Sequence, residues 1–325
     1  MNRMLMTATR SPALAAFVSL LEHIRPAVST RFHVLTYHRV DEVHAHPERS
    51  PALLSATPAE FEQQMRYLSA CCQVISSADL VQIVEAGRPL PPRTVLITFD
   101  DAYTCFAEHA FPIMQRYGLP VTLFVPTAFP DQPERIFWWD QLYHAIFTTR
   151  CQCVQTPVGE LQLELPAQRR QAFKMLREYV KSQPHERAMQ WVSELVTALD
   201  VAPLNQGAVL SWAQLRALAK AGVTLCPHTR THPLLNRISA EAACAEAVGA
   251  LRDLELQIGS TLPVIAYPGG GISEAVTQVL RQEGFVLGYT TQRGSNDVRT
   301  LDNLQIRRIN IGRSTSLTAL RAQLL

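Results

Sequence analysis

Short, almost uninterrupted apolar runs recur along the chain: FHVLTYH (32–38), TVLITF (94–99), VTLFVP (121–126), GVTLCP (222–227), PVIAYP (263–268), FVLGYTT (285–291) and QIRRINI (305–311). A strand with one face in water alternates apolar and polar residues. Most of these runs do not, as expected of parallel strands covered on both faces. Helix signals lie between them. Thr57 is placed as an N-cap, with Pro58 at the first helical position and Glu60 closing a capping box. Further helices are expected from Ser211 to Gly222 and from Ser239 to Gly259. Strand alternating with helix about seven times predicts an α/β barrel or an open doubly wound sheet. No GxGxxG or Walker-type loop opens a helix, which weighs against the nucleotide-binding open sheets. The alternation breaks at residues 137–210, where WWDQLYHAIF, AQRRQAFKMLREYVKS and HERAMQWVSELVTAL read as helices. This stretch is expected to be an insertion between two barrel strands, forming a lid or one wall of a cleft.

The totals change this picture little. With 325 residues, 47% hydrophobic and 18% charged, the chain has the composition of an ordinary globular protein with a substantial core. A net charge of +2, with no long run of Lys and Arg, gives no case for nucleic acid as a partner. The seven cysteines form no CxxC pair and read as buried or free thiols of a reducing compartment. Residues 1–30 are expected to be a helical segment ahead of a single domain over 31–325. PALAAFVSLL (12–21), preceded by Arg3 and Arg10, is too short to span a bilayer and lacks a cleavage site at the usual distance. It reads as an amphipathic helix, docked on the domain or lying at the inner membrane surface, with docking preferred. The expected location is the cytoplasm, including the inner face of the membrane. The oligomeric state is not legible.

Four pieces carry chemistry. Asp100 and Asp101 follow the strand TVLITF, and two adjacent carboxylates at the edge of a core call for water or a cation. The bland alternative is a helix cap at Asp101 with Asp100 in solvent. In CPHTRTHP, His228 and His232 are four apart, which suits a divalent metal, although ten histidines produce such spacings by chance. Both pairs sit just past strands and so could reach one barrel mouth. Two imidazoles and one carboxylate form an open, catalytic type of metal site, with the second Asp left as a base. In AYPGGG (266–271), glycines permit close backbone approach and N–H donation to an oxyanion, or simply a tight turn. His38 closes the first strand, either as a core histidine or as a general acid.

In this order the pieces resemble the polysaccharide deacetylase family (the NodB-homology domain, carbohydrate esterase family 4), over about residues 32–312 apart from the insertion. The resemblance implies a distorted (β/α)7 barrel that removes N-acetyl groups from N-acetylhexosamine units, usually with zinc. TFDD resembles the first motif, making Asp100 the base and Asp101 a metal ligand. HTRTH is similar to the second, making His228 and His232 the other ligands. The third motif departs from the family: Ala266-Tyr267-Pro268-Gly269 stands where R-x-P-Y is usual, so the Arg that steadies the base is missing. Arg308 is the candidate replacement, against an ordinary structural role, and Gly269 is left to serve the oxyanion. The late Leu-x-His motif is also absent. The branch resembling poly-N-acetylglucosamine deacetylases carries its acid His in an N-terminal YH strand, which makes Tyr37-His38 the match and His38 the acid.

The expected substrate or oxyanion contacts are Tyr267, Pro268, Gly269, Trp138 and Trp139; the two tryptophans either stack on sugar or pack a helix. The expected partner is a cell-surface polysaccharide or a lipid-linked saccharide, with peripheral membrane association open. Two rivals remain: a deformylase acting on a lipid-linked aminosugar, and a catalytically silent glycan-binding barrel.

Overall fold

The computed structural model describes residues 12–24, 29–202, 204 and 207–325. Seven strands match the seven apolar runs: β1 (Arg31–Tyr37), β2 (Thr94–Phe99), β3 (Thr122–Val125), β4 (Thr224–Pro227), β5 (Val264–Ala266), β6 (Leu287–Tyr289) and β7 (Ile309–Asn310). They pair in parallel in the order β7-β1-β2-β3-β4, with β5-β6 as a separate parallel pair. A parallel bridge from Tyr289 to Ile306 joins β6 to the segment entering β7. Between β4 and β5 no ladder forms among the described residues. Two side chains cross that seam: Thr261 donates to the Leu225 carbonyl at 2.6 Å, and His228 Nδ1 lies 2.7 Å from the Ala266 carbonyl. The result is the distorted (β/α)7 barrel, closed by strands on one side and by side chains at the seam.

Burial on both faces explains why the runs do not alternate. Phe32, Val34, Leu96, Phe124, Cys226 and Leu287 belong to one apolar cluster, and Leu35, Val95, Ile97 and Leu123 to another. Successive residues of one strand therefore serve opposite faces, and both faces are dry. Around the strands run α1 (Pro12–Ile24), α2 (Pro58–Cys71), α3 (Ser77–Ala86), α4 (Phe111–Arg116), then α5 (Trp138–Thr148), α6 (Pro166–Ser182) and α7 (His185–Ala198) of the insertion. The last four are α8 (Trp212–Lys220), α9 (Ala240–Ile258), α10 (Glu274–Gln282) and α11 (Leu317–Gln323). The Thr57–Glu60 capping box forms as expected, and Ser211 and Ser239 cap α8 and α9.

The heaviest packing lies directly beneath the strand ends that carry the acids. Tyr37, Phe61, Phe99 and Phe106 meet in a chain of rings with centroids 4.9–5.7 Å apart. Such aromatic pairs each contribute about 0.5–1.5 kcal/mol beyond area burial.

The insertion contains one element that the pattern of hydrophobicity missed, a hairpin of Cys153–Thr156 and Gly159–Gln162. Its strands are mostly exposed and rich in Gln and Glu, so neither apolar run nor strict alternation marks them. Helix α1 docks on the domain: Glu22 accepts from Arg321 of α11 at 2.6 and 3.0 Å and from Tyr67 of α2 at 2.7 Å. Arg3, Arg10 and the rest of residues 1–11 and 25–28 lie outside the described residues. No described helix is long and apolar enough to cross a membrane.

Candidate active site

The period of two along a strand selects the site. Val34, Leu96, Cys226 and Ile306 all belong to the cluster that fills the barrel. Counting on by twos from each reaches Thr36 and His38, Thr98 and Asp100, His228, and Arg308 and Asn310. All seven line one cleft at the C-terminal ends of the strands, except Thr98, which is buried just below it. The same count excludes Tyr267. Its neighbour Ala266 faces the barrel interior, so Tyr267 faces outward, fully buried, and donates to the Leu304 carbonyl at 2.9 Å. Gly288 makes room for it, since a Cβ there would come within 2.0 Å of the Tyr267 hydroxyl. Tyr267 is thus a structural residue and not a substrate contact. Pro268 is likewise buried and does not line the cleft, whereas Gly269 does, in a left-handed conformation at φ 56°.

Just past β2 the Asp100 N–H still bonds the Tyr37 carbonyl at 2.9 Å, continuing the ladder. Asp101 (φ 71°) and Ala102 (φ 48°) then both take left-handed conformations, which turns the chain sharply off the sheet. Thr229 (φ 62°) and His232 (φ 63°) repeat this after β4. Four of the seven described non-glycine residues with positive φ therefore sit at this one place. Each such conformation costs on the order of 1 kcal/mol or more, and persists where the surroundings enforce it.

The two aspartates are held quite differently. Asp100 receives both Arg308 guanidinium N–H groups at 2.8 Å in a two-pronged pair, and Arg308 is itself fixed by donating from Nε to the Thr290 carbonyl at 2.8 Å. Burial alone would raise the Asp100 pKa, but the charges of Arg308 and His228 outweigh it and hold the carboxyl below its usual range. Asp101 is also buried, and burial again opposes its ionisation, yet His228 and His232 bring it far below the ordinary carboxylate range. Its Oδ1 lies 3.5 Å from His228 Nε2 and 3.2 Å from His232 Nε2, but accepts no well-formed hydrogen bond.

The His228 tautomer follows from its partner. A carbonyl oxygen can only accept, so Nδ1 donates to Ala266 and Nε2 is the atom turned toward Asp101. A buried carboxylate oxygen this close to two imidazole nitrogens calls for a positive charge, from a proton on a ring or from a cation. Asp101, His228 and His232 offer ligand atoms that all lie within 4.8 Å of one another. A hard–borderline set of two nitrogens and one oxygen with an orphaned buried oxygen fits a divalent cation of the zinc type with coordination positions left open.

His38 is half-buried at the end of β1, with its N–H donated to Ser55 Oγ at 2.9 Å and its side chain in the cleft beside Asp100. The paired tryptophans divide. Trp139 is nine-tenths buried, donates from its indole to Tyr103 at 3.0 Å and packs edge-on against His232 at 4.9 Å. It steadies an imidazole and reaches the cleft with only a small part of its ring. Trp138 is the more exposed of the two and lines the cleft. Phe137, stacked on Trp139 at 4.4 Å, and the Ala266 carbonyl went unread in the sequence: the first looks like any apolar residue, and a backbone group leaves no sequence signal. The cleft holds about 360 Å³, in the range of small-molecule sites.

The family pattern described as polysaccharide deacetylase matches residues 87–288, which carry Asp100, Asp101, His228 and His232. The chain belongs to the polysaccharide deacetylase family. The poly-beta-1,6-N-acetyl-D-glucosamine N-deacetylase of Escherichia coli strain K12 is 26% identical over 136 residues, which are 40% of this chain and 20% of that protein. The chain thus spans a fifth of the length of this curated relative. Among solved structures, the fold is similar to the Streptococcus pyogenes deacetylase PplD in complex with acetate (TM-score 0.61, 19% identity, 92% of this chain and 100% of that one). It is also similar to IcaB from Ammonifex degensii (TM-score 0.57, 17% identity, 91% and 98%).

Proposed function

We propose that this polysaccharide deacetylase family member is a metal-dependent hydrolase removing N-acetyl groups from N-acetylhexosamine units of a cell-surface polysaccharide or a lipid-linked glycan precursor. One observation carries the reading: ligand atoms of His228, His232 and Asp101 converge in a dry site, with one Asp101 oxygen left without a hydrogen bond, beside a second carboxylate held by Arg308. In this reading Asp101, His228 and His232 hold the cation, with zinc the proposed metal. Bound there, the cation would polarise the acyl oxygen and make water acidic enough to deprotonate near neutral pH.

That last property is needed. A carboxylate held down by a bidentate arginine is a weak base, and it can take a proton only from an acidified donor. Asp100 accepts that proton as the water oxygen bonds to the acyl carbon, and Arg308 keeps the carboxylate aimed. His38, at the end of the neighbouring strand, gives a proton to the sugar nitrogen as the C–N bond breaks, releasing acetate and an amine. The Gly269 backbone, with no side chain in the way, lines the wall where the acyl oxygen acquires charge. Trp138 offers a ring to the sugar.

The test is elemental analysis joined to acetate release from N-acetylglucosamine oligomers, for the wild type and Asp100→Asn. Metal in both, with acetate from the wild type and a rate lower by about 10²–10⁴ in the variant, is the expected result. Absence of stoichiometric metal after reconstitution would overturn the reading.

A further inference from the structure

The cleft also carries cations that the proposed reaction does not use. Arg177 and Lys181 lie four residues apart on α6, one turn along the same face, and both line the cleft. Arg237, at the end of the short helical turn Leu235–Arg237, lines it from the barrel side. Like charges one turn apart repel each other on a helix, so an arrangement of this kind normally brings a counter-charge close by. Little is present here. The Lys181 ammonium forms no hydrogen bond or ion pair among the described residues. Burial lowers its pKa, neighbouring Arg177 lowers it further, and Glu178 alone opposes them. Arg177 lies over the Phe173 ring at 6.0 Å and its one ion pair among the described residues is with the mostly exposed Glu178 carboxylate at 3.4 Å, while its Nε is buried without a hydrogen-bond partner. Arg237 has no ion pair among the described residues. The acidic residues that line the cleft, Asp100 and Asp101, are engaged by Arg308 and by the two histidines. The same wall adds apolar Val180, Ala188 and Met189 together with Gln183 and His185, and it carries no carboxylate.

We propose that the natural substrate carries an anionic group, a phosphate or a carboxylate, close to its N-acetylated sugar, and that Arg177, Lys181 and Arg237 bind it. This rests on reading the cleft as the deacetylase site and adds the substrate's charge. A guanidinium pairs two-pronged with either anion and an ammonium serves as a point charge, so the wall selects charge first and the anion's shape second.

The test titrates the purified full chain, by calorimetry at low ionic strength, with N-acetylglucosamine, N-acetylglucosamine 1-phosphate and N-acetylmuramic acid. The expected result is that at least one charged sugar binds tenfold or more tighter than the neutral one. That advantage shrinks as salt is added, is lost in Lys181→Gln and in Arg177→Gln, and is kept in Lys181→Arg. It also survives Asp101→Asn, which separates anion binding on the wall from anion binding on a metal at the cluster. Preference for the phosphate sugar alone assigns a phosphoester source, and preference for the acid alone a carboxylated glycan. Equal binding of charged and neutral sugars, or a preference untouched by Lys181→Gln and Arg177→Gln, overturns the proposal. Failure of the deacetylase reading has a separate signature: the charged sugars bind selectively and none releases acetate.

Discussion

The barrel mouth and the insertion wall face each other across the same cleft and are built on opposite plans. At the mouth, most functional groups have a partner within the fold. Asp100 has Arg308, Arg308 has the Thr290 carbonyl, His228 has the Ala266 carbonyl, and His232 rests on Trp139. One oxygen of Asp101 is left without a hydrogen bond, and the His38 ring has no hydrogen bond or ion pair among the described residues. Across the cleft Arg177 and Lys181, like Arg237 at the rim on the barrel side, lack comparable partners. The difference separates two tasks. Groups that take part in bond making must be held in place before substrate arrives, which favours a closed network on rigid strand ends. Groups that recognise a substrate need a partner from outside, and helices of an insertion can carry them without disturbing the barrel.

This contrast can be broken most forcefully at Arg308. Removing its charge in Arg308→Met leaves Asp100 ionised and unpaired in a dry site, and loss of one partner of a buried pair costs about 3–5 kcal/mol. Urea denaturation should show a loss of that size together with loss of acetate release. Arg308→Lys should recover more stability than activity, because one ammonium cannot match both carboxylate oxygens. The pair also has an acid limb. The folded Asp100 pKa lies below its unfolded value, so its contribution is present above about pH 4 and is lost as pH falls through the folded value. Arg308→Met should therefore flatten the acid side of the stability profile.

A smaller effect is expected at Asp140, which joins the insertion to the barrel by accepting the Ser50 N–H at 2.9 Å. Burial raises its pKa to about 6, partly offset by that hydrogen bond and by Arg39. The sign is the reverse of Asp100. A raised carboxylate costs nothing below about pH 4, then destabilises the fold increasingly as pH rises to 6, by about 3 kcal/mol in full. Asp140→Asn keeps the Ser50 bond and should gain about 1–3 kcal/mol over wild type at pH 7, with little gain at pH 4. Melting curves at the two pH values check it. The smallest effect belongs to Trp138→Ala: about tenfold in KM for acetate release at near-constant kcat, consistent with a ring contributing about 1 kcal/mol of binding and no chemistry.

How much of this was legible beforehand depended on where each signal resides. The barrel showed in the sequence because strands dry on both faces cannot alternate, and no other element leaves that trace over seven short runs. Asp100, Asp101, His228 and His232 stood out because each pair closes such a run. Arg308 was reached through an absence: Ala266 stands where an arginine was expected, and the structure brings Arg308 to Asp100 from another strand. Tyr267 was misplaced because motif order was followed and strand parity was not. Ala266 faces in, so Tyr267 must face out. The cations of α6 left no usable mark, since Arg and Lys on a helix ordinarily mean a solvated face. Only the packing of that helix over the mouth turns them inward. The hairpin at Cys153–Gln162 was silent because little of it is buried.

One joint in the barrel is not made of backbone. Between β4 and β5, where no ladder runs, the sheet is fastened by Thr261 and by the imidazole of His228. The far nitrogen of that imidazole belongs to the Asp101 cluster. Whatever holds the far nitrogen also draws the seam shut, so folding and ligand occupancy are thermodynamically linked. A cation at a hundredfold excess over its Kd would deepen the native well by about 2.7 kcal/mol. The gain should appear as slower amide exchange in β5 and β6, strands that contribute no ligand to the cluster, making the barrel's staves a gauge of its own metal supply.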